Sequence, residues 1–508
     1  MLRKFALVIS TVLTIAMIPE AAHADTGERR PSFSPGAPGI GDPYFPSDGN
    51  GGYDVSHYDL ALKYQPVANV LTSVATIEAR ATQNLSQFDL DLKGLNVRSV
   101  TVNGDRAGWR RDGTELIITP SRGLPDGRRF TTEIRYDGQP KPDNDDGLGE
   151  AGFFPTDDGA LVIGQPHVAA TWFPANDHPA DKASYDIRIT VPAGVEAISN
   201  GVLLSTRTKG GWSTWTWRAK EPMATYLATA TVGQFDITSY RSKGITFLDA
   251  IDPAVDELAP DQSPSISAIA KKAFAREPEI IEFLSKSFGR YPFSAAGGIV
   301  DNFDGPGFAL ENQTRPIYDP GFFTRTQARA DAVVVHELAH QWYGDSVTIA
   351  AWQHIWLNEG FATYAEWLWD EHEGIRTVQQ DADGVAAIPA DDPFWSLKVA
   401  EPGAAGIFDG ATYDRAALTL HQLRLKIGDD SFFRLLKTWA RTNAGGVVTT
   451  DQFIAMAEKT SGQDLGDFFQ TWLFTDTKPD IEPAVSAFAA RAAEASPAGD
   501  LVGGGPRR

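Results

Sequence analysis

The chain has no cysteine in its 508 residues. That excludes disulfides, thiolate metal ligands and a thiol nucleophile, so any metal must be held by histidine and carboxylate groups. Positive charge is also scarce: 45 Lys and Arg face 66 Asp and Glu, for a formal net charge of −21. This balance argues against a nucleic-acid partner, which favours a basic face. A membrane-spanning run is missing too. The most apolar stretch, Phe5 to Ile18, is about 14 residues long, short of the ~20 that cross a bilayer. Arg3 and Lys4 precede it and Ala22-His23-Ala24 follows, so residues 1–24 read as a secretory signal cleaved before Asp25. The expectation is an exported chain, extracellular or periplasmic, with no membrane contact after cleavage. Oligomeric state is not legible.

What is present is a globular composition, 42% hydrophobic with 13 Trp, in a chain long enough for two or more domains. Residues 25–52, rich in Gly, Pro, Ser and Asp without periodicity, suggest a flexible lead-in. From 53 to 240 short runs alternate apolar and polar residues, as in Tyr58 to Tyr64 and Tyr185 to Val191, with turn signals such as Asn103-Gly104 between them. Many short strands at that spacing predict an antiparallel β saddle or sandwich. The period then changes. Ile245 to Ile251 still reads as a strand, but from Ser265 to Phe288 apolar residues recur at helical spacing, with Pro278 as a break or kink. A mainly helical domain is expected over 241–480. The Ala-, Gly- and Pro-rich residues 481–508 read as a disordered tail.

The chemistry concentrates at His336-Glu337-Leu338-Ala339-His340. Two histidines four apart on a helix share one face and can grip one ion. A catalytic zinc takes three protein ligands and keeps a fourth place for water. Glu359, with eighteen residues between it and His340, is the candidate third ligand, opening a second helical stretch at Asn358-Glu359-Gly360. Glu337 need not bind the metal. A bound zinc lowers the pKa of its water toward about 7, and Glu337 is placed to take that proton as general base. Ligand histidines need an acceptor on their other ring nitrogen. Glu366, two turns after Glu359, could be that acceptor or a solvent-facing carboxylate.

His336 to Thr348, together with Trp356 to Glu366, resembles the aminopeptidase N and leukotriene hydrolase family of zinc metallopeptidases. Fainter similarity extends over about residues 50–475. The resemblance implies an N-terminal β saddle, a thermolysin-like catalytic domain, one zinc ion, and peptides with a free N-terminus as substrates. Phe308-Ala309-Leu310-Glu311-Asn312 stands where the family carries Gly-Ala-Met-Glu-Asn. By that similarity Glu311 grips the substrate's α-amino group, and Asn312 and Gly307 join the substrate site. Phe308 replaces the motif's first glycine, with Gly307 one residue earlier. Gln165 matches a family residue that reaches the amine from the β-domain, ahead of the run Trp172-Phe173-Pro174. Tyr413 matches the family's oxyanion-stabilising tyrosine, with Arg415 and Ala416 in place of the usual Lys and Gly. Larger members continue into a long helical domain that caps the cavity. Helical pattern here ends near 475, which implies a more open site unless a second subunit covers it. The expected function is an exported zinc aminopeptidase. The alternatives are a thermolysin-like zinc endopeptidase and a non-catalytic zinc-scaffold binding protein.

Overall fold

The structure, a computed structural model, describes residues 32–145, 149–303 and 307–481. The secretory signal and the tail beyond Ile481 therefore lie outside the described residues. The N-terminal half is built on one sheet of eight strands. At its centre Tyr53–Gln65 and Lys182–Pro192 pair in parallel, with Tyr58 opposite Tyr185. Their rings stack 4.9 Å apart, and burial alternates along both strands, as a period of two requires. Neighbours add on in antiparallel fashion, Val70–Ala81 on one side and Trp212–Ala224 on the other. A four-stranded and a five-stranded sheet complete the β saddle. In the five-stranded sheet, Ala160–Ile163 is buried at every position and leads directly into Gly164-Gln165.

The seam with the second half falls earlier than the change of period near residue 240 suggests. Asp236–Ser242 pairs with Ile245–Ile251, and both belong to the sheet that contains Ile299–Val300, Ile317–Tyr318 and Ala309–Leu310. Alternation alone cannot say to which sheet a strand belongs. Among the described residues nine α-helices follow: α1 (Ile266–Phe274), α2 (Glu277–Phe288), α3 (Gln327–His340), α4 (Trp356–Glu373), α5 (Val378–Ala386), α6 (Gly410–Ile427), α7 (Asp429–Thr442), α8 (Thr450–Ser461) and α9 (Gly466–Leu473). The periodic stretch 265–288 is thus two helices. Pro278 sits in the first turn of α2, where its missing N–H costs nothing. None of the described helices is long and apolar enough to cross a membrane.

Residues 33–52 differ from the flexible lead-in expected over 25–52, of which residues 25–31 lie outside the described ones. Asp42, 3% exposed, accepts the Trp352 backbone N–H (2.9 Å) and bonds the His178 ring (3.1 Å). The Asn50 side chain donates to Asp91 (3.1 Å), and the Tyr44 hydroxyl accepts the Gly403 N–H (3.0 Å). This segment is pinned by polar side chains, which leave no apolar periodicity in the sequence.

Candidate active site

Helix α3 starts at Thr326, whose hydroxyl accepts the Arg329 N–H, and buries Val333, Val334 and Val335. The apolar turn fixes the helix's rotation, so His336 and His340 emerge together toward α4. Helix α4 packs against α3 on one side and α6 on the other. Its close approach to α6 depends on Gly360: a Cβ there would stand 2.6 Å from the Ala416 Cβ. Both positions must be small, and Ala416 meets that demand as its family counterpart glycine would. The contact sets the depth of Glu359, one residue away.

His336, His340 and Glu359 form a group whose ligand atoms all lie within 4.8 Å of one another. One Glu359 oxygen lies 3.4 Å from His336 Nε2 and 3.3 Å from His340 Nε2. Those separations are long for hydrogen bonds. They equal the edge of a tetrahedron whose centre is about 2.05 Å from each donor, the usual zinc–ligand distance. The outer nitrogens are already engaged. His340 Nδ1 faces the Tyr343 carbonyl (3.1 Å), which can only accept, so Nδ1 carries the proton and Nε2 keeps its lone pair. His336 Nδ1 bonds the Glu366 carboxylate at 2.7 Å, the arrangement that orients and enriches a metal-ligating imidazole. Of the two roles open to Glu366 in the sequence, the structure gives it the partly buried contact to His336. Two nitrogens, each held from behind, and a carboxylate fit a zinc ion.

Glu337 lies beside this group, 4% exposed, with Oε2 lacking a hydrogen-bond partner. Burial pushes its carboxyl up to about 8, with His336 and His340 pulling the other way. Glu311 follows the short strand Ala309–Leu310 and is 2% exposed. One of its oxygens joins Glu337 and His340 within 4.8 Å. Burial raises its carboxyl, and His340 opposes this. The Tyr226 hydroxyl donates to Glu311 Oε1 (3.0 Å), and burial keeps that phenol protonated. The Gln341 side chain donates to the Glu311 carbonyl (3.1 Å) and accepts the Thr314 N–H (2.7 Å). Tyr413, in the first turn of α6, places its ring 6.1 Å from that of His336 and inclined by 24°. Burial raises its hydroxyl well above 10, as do Glu359, Glu311 and Glu337, so it stays a donor.

Gln165, Gly307, Phe308, Glu311, Glu337, Tyr413 and the three ligand candidates line one cavity of about 930 Å³. Gln165 brings an unpartnered Oε1. It is aimed by Gly164, whose φ of +117° and lack of a Cβ let the chain turn hard against Ala151. Asn312 does not line the cavity. It is fully buried and donates to the Leu227 carbonyl (3.1 Å), bracing the Glu311 turn against the β-domain. A larger cavity of about 1060 Å³, lined by residues from Lys220 to Gly445, contains none of the candidates. Tyr226 and Gln341 were not anticipated. Gln341 adjoins His340 in sequence, whereas nothing local distinguishes Tyr226. Arg415 points away from the site: its guanidinium donates to the carbonyls of Trp395 (2.8 Å), Leu397 (2.9 Å) and Thr475 (2.9 Å).

Residues 55–227 match the peptidase M1 N-terminal domain and residues 303–472 the peptidase family M1 domain. An M1 zinc metallopeptidase of Deinococcus radiodurans, solved as a mutant with a Tyr-Ser-Ala substrate, is 30% identical with a TM-score of 0.77. The match covers 88% of this chain and 100% of that one. A two-domain M1 zinc metallopeptidase solved with L-arginine is also 30% identical, at a TM-score of 0.78 over 88% of this chain and 100% of that one. Among curated sequences, the glutamyl aminopeptidase of Sus scrofa is 26% identical over 82% of this chain and 46% of its own length. The probable aminopeptidase 2 of Sulfurisphaera tokodaii is 25% identical over 78% of this chain and 51% of its own. The chain thus spans about half the length of these curated relatives.

Proposed function

The chain belongs to peptidase family M1, a family of zinc metallopeptidases, and from that premise we propose that it is an exported aminopeptidase that hydrolyses the N-terminal bond of peptides. The observation that carries this reading is the buried Glu311 carboxylate on the zinc side of the cavity. Tyr226 gives it one hydrogen bond, and among the described residues no Lys or Arg pairs with it. A substrate α-ammonium would supply the missing charge. The unpartnered Gln165 oxygen gives that ammonium a second acceptor from the β-domain. Anchored there, a peptide has only its first peptide bond over His336, His340 and Glu359.

Those three residues would hold zinc, whose contribution would be Lewis-acid polarisation of the carbonyl and a lowered pKa for the attacking water. Glu337 lies next to the first ligand and takes the proton of the attacking water. It then delivers that proton to the leaving amine as general acid. Tyr413 donates its hydroxyl to the oxygen on which negative charge develops. Glu366 and the Tyr343 carbonyl hold the ligand imidazoles in their tautomers.

Two substrates test the reading: an aminoacyl arylamide and its N-acetylated form. The parent should cleave the first and spare the second, and Glu311→Ala should lose about 2–5 kcal/mol of that discrimination. Equal cleavage of both by the parent would favour a thermolysin-like endopeptidase. Export rests on residues 1–24 and is checked by N-terminal sequencing of the mature protein. A first residue other than Asp25 would refute that cleavage site.

A further inference from the structure

Away from the active site three carboxylates converge with, among the described residues, no side-chain cation to balance them. Asp252 and Asp301 each follow the last residue of a strand, Ile245–Ile251 and Ile299–Val300. The two strands pair in parallel with Ile251 opposite Val300, which sets the aspartates side by side at one sheet end. The third, Asp158, comes from the N-terminal domain, in the turn between Gly149–Pro155 and Ala160–Ile163. One oxygen from each lies within 4.8 Å of the other two.

Asp301 shows that the cluster is more than a crowded acidic patch. It is 1% exposed, and neither carboxylate oxygen has a hydrogen-bond partner. The Asn302 backbone N–H comes near without reaching hydrogen-bonding geometry. Its neighbours are better served: Asp252 accepts the Ala254 N–H (2.7 Å), and Asp158 accepts the Gln234 N–H (2.6 Å) and the Thr156 hydroxyl (3.2 Å). Among the described residues no Lys, Arg or His forms an ion pair with any of the three. Burial drives the Asp301 carboxyl well above its usual range, and Asp158 and Asp252 add to the effect. A buried carboxylate without partners, facing two of its own kind, is costly unless a cation joins it.

We propose that Asp158, Asp252 and Asp301 hold a calcium ion that ties the N-terminal domain to the catalytic domain. The donors are all carboxylate oxygens, the choice of a hard cation rather than of zinc. Ca2+ accepts six to eight oxygens at about 2.3–2.6 Å, so opposite ligands stand about 4.8 Å apart, and its flexible shell takes waters in the remaining places. The site sits at the root of the active site. Asp301 leads to Phe303, whose ring packs 5.2 Å from that of Phe154 on the strand just before the Asp158 turn. The chain then reaches Gly307, Phe308 and Glu311 in the catalytic cavity. Calcium therefore acts as a positioning element for the Glu311 segment, without touching substrate.

The test is calorimetric titration of calcium chloride into zinc-loaded, calcium-depleted protein, with thermal unfolding in the presence and absence of calcium. One calcium per chain should bind and raise the Tm, with zinc content unchanged. Asp301→Asn should abolish both responses, yet unfold at a higher temperature than the parent in calcium-free buffer, because an unpaired buried charge is gone. Asp158→Asn, at the less buried turn, should weaken calcium binding at least tenfold and serves if the first variant does not fold. Absence of calcium heat and Tm shift in the parent would overturn the proposal. So would a response to magnesium alone, or a calcium response that survives both substitutions.

Discussion

Glu366 offers a test of how the metal ligands are held. Its Oε1 receives the His336 Nδ1–H at 2.7 Å, while Arg329 stands 3.6 Å from the other oxygen and balances the charge. The Glu366 side chain is only 20% exposed, so solvent screening is partial. Removing such an outer partner typically lowers metal affinity by about 10–100-fold, which is about 1.4–2.8 kcal/mol. Glu366→Ala should show that loss. Glu366→Gln keeps an acceptor for the imidazole but not the charge. A neutral hydrogen bond is worth about half a charge-assisted one, so its loss should be about 3–10-fold. The assay is competition for zinc against a fluorescent chelator at fixed pH, with circular dichroism to confirm the fold. Zinc affinity of Glu366→Ala within twofold of the parent would show that Glu366 does not hold the His336 ligand. So would a weaker affinity for the Gln variant than for the Ala variant.

Three further substitutions separate chemistry from structure. Glu337→Gln should cut turnover by about 10²–10⁴-fold while zinc content, read by metal analysis, stays at one per chain; undiminished turnover would remove Glu337 as the base. Tyr413→Phe should lower kcat by about 10²–10³-fold with KM nearly unchanged, and steady-state kinetics showing the loss in KM alone would contradict an oxyanion role. Arg415→Met leaves three carbonyl acceptors without their donor, the buried one of Trp395 and the partly buried ones of Leu397 and Thr475. It should cost about 1–3 kcal/mol in denaturant unfolding, and an unchanged midpoint would show that the guanidinium does not pin the segment at Thr475.

The legibility of this protein in its sequence follows from the range of each interaction. His336 and His340 are one helical turn apart, so their shared face was readable from spacing alone. Glu359 and Glu366 needed only a second helix at a short distance, and the structure puts both against His336. The β saddle was readable because half-buried strands alternate. Long-range polar contacts left no such trace. Tyr226 reaches Glu311 across 85 residues and Asp42 reaches Trp352 across 310, and no local pattern marks either. The departures from the family pattern have physical reasons. Arg415 is occupied with the chain near Thr475, and Ala416 is small enough for Gly360. Asn312, expected at the substrate, instead braces the turn that carries Glu311.

A zinc site with an amine anchor should remove residues from one end only. Mass spectrometry of a defined peptide during digestion tests it directly, with the zinc-loaded enzyme, after chelation, and after zinc is restored. Products should form a ladder shortened one residue at a time from the N-terminus. The ladder should stop on chelation and resume with zinc, and the N-acetylated peptide should remain intact. Internal cleavage, digestion of the acetylated peptide, or a ladder indifferent to chelation would contradict it.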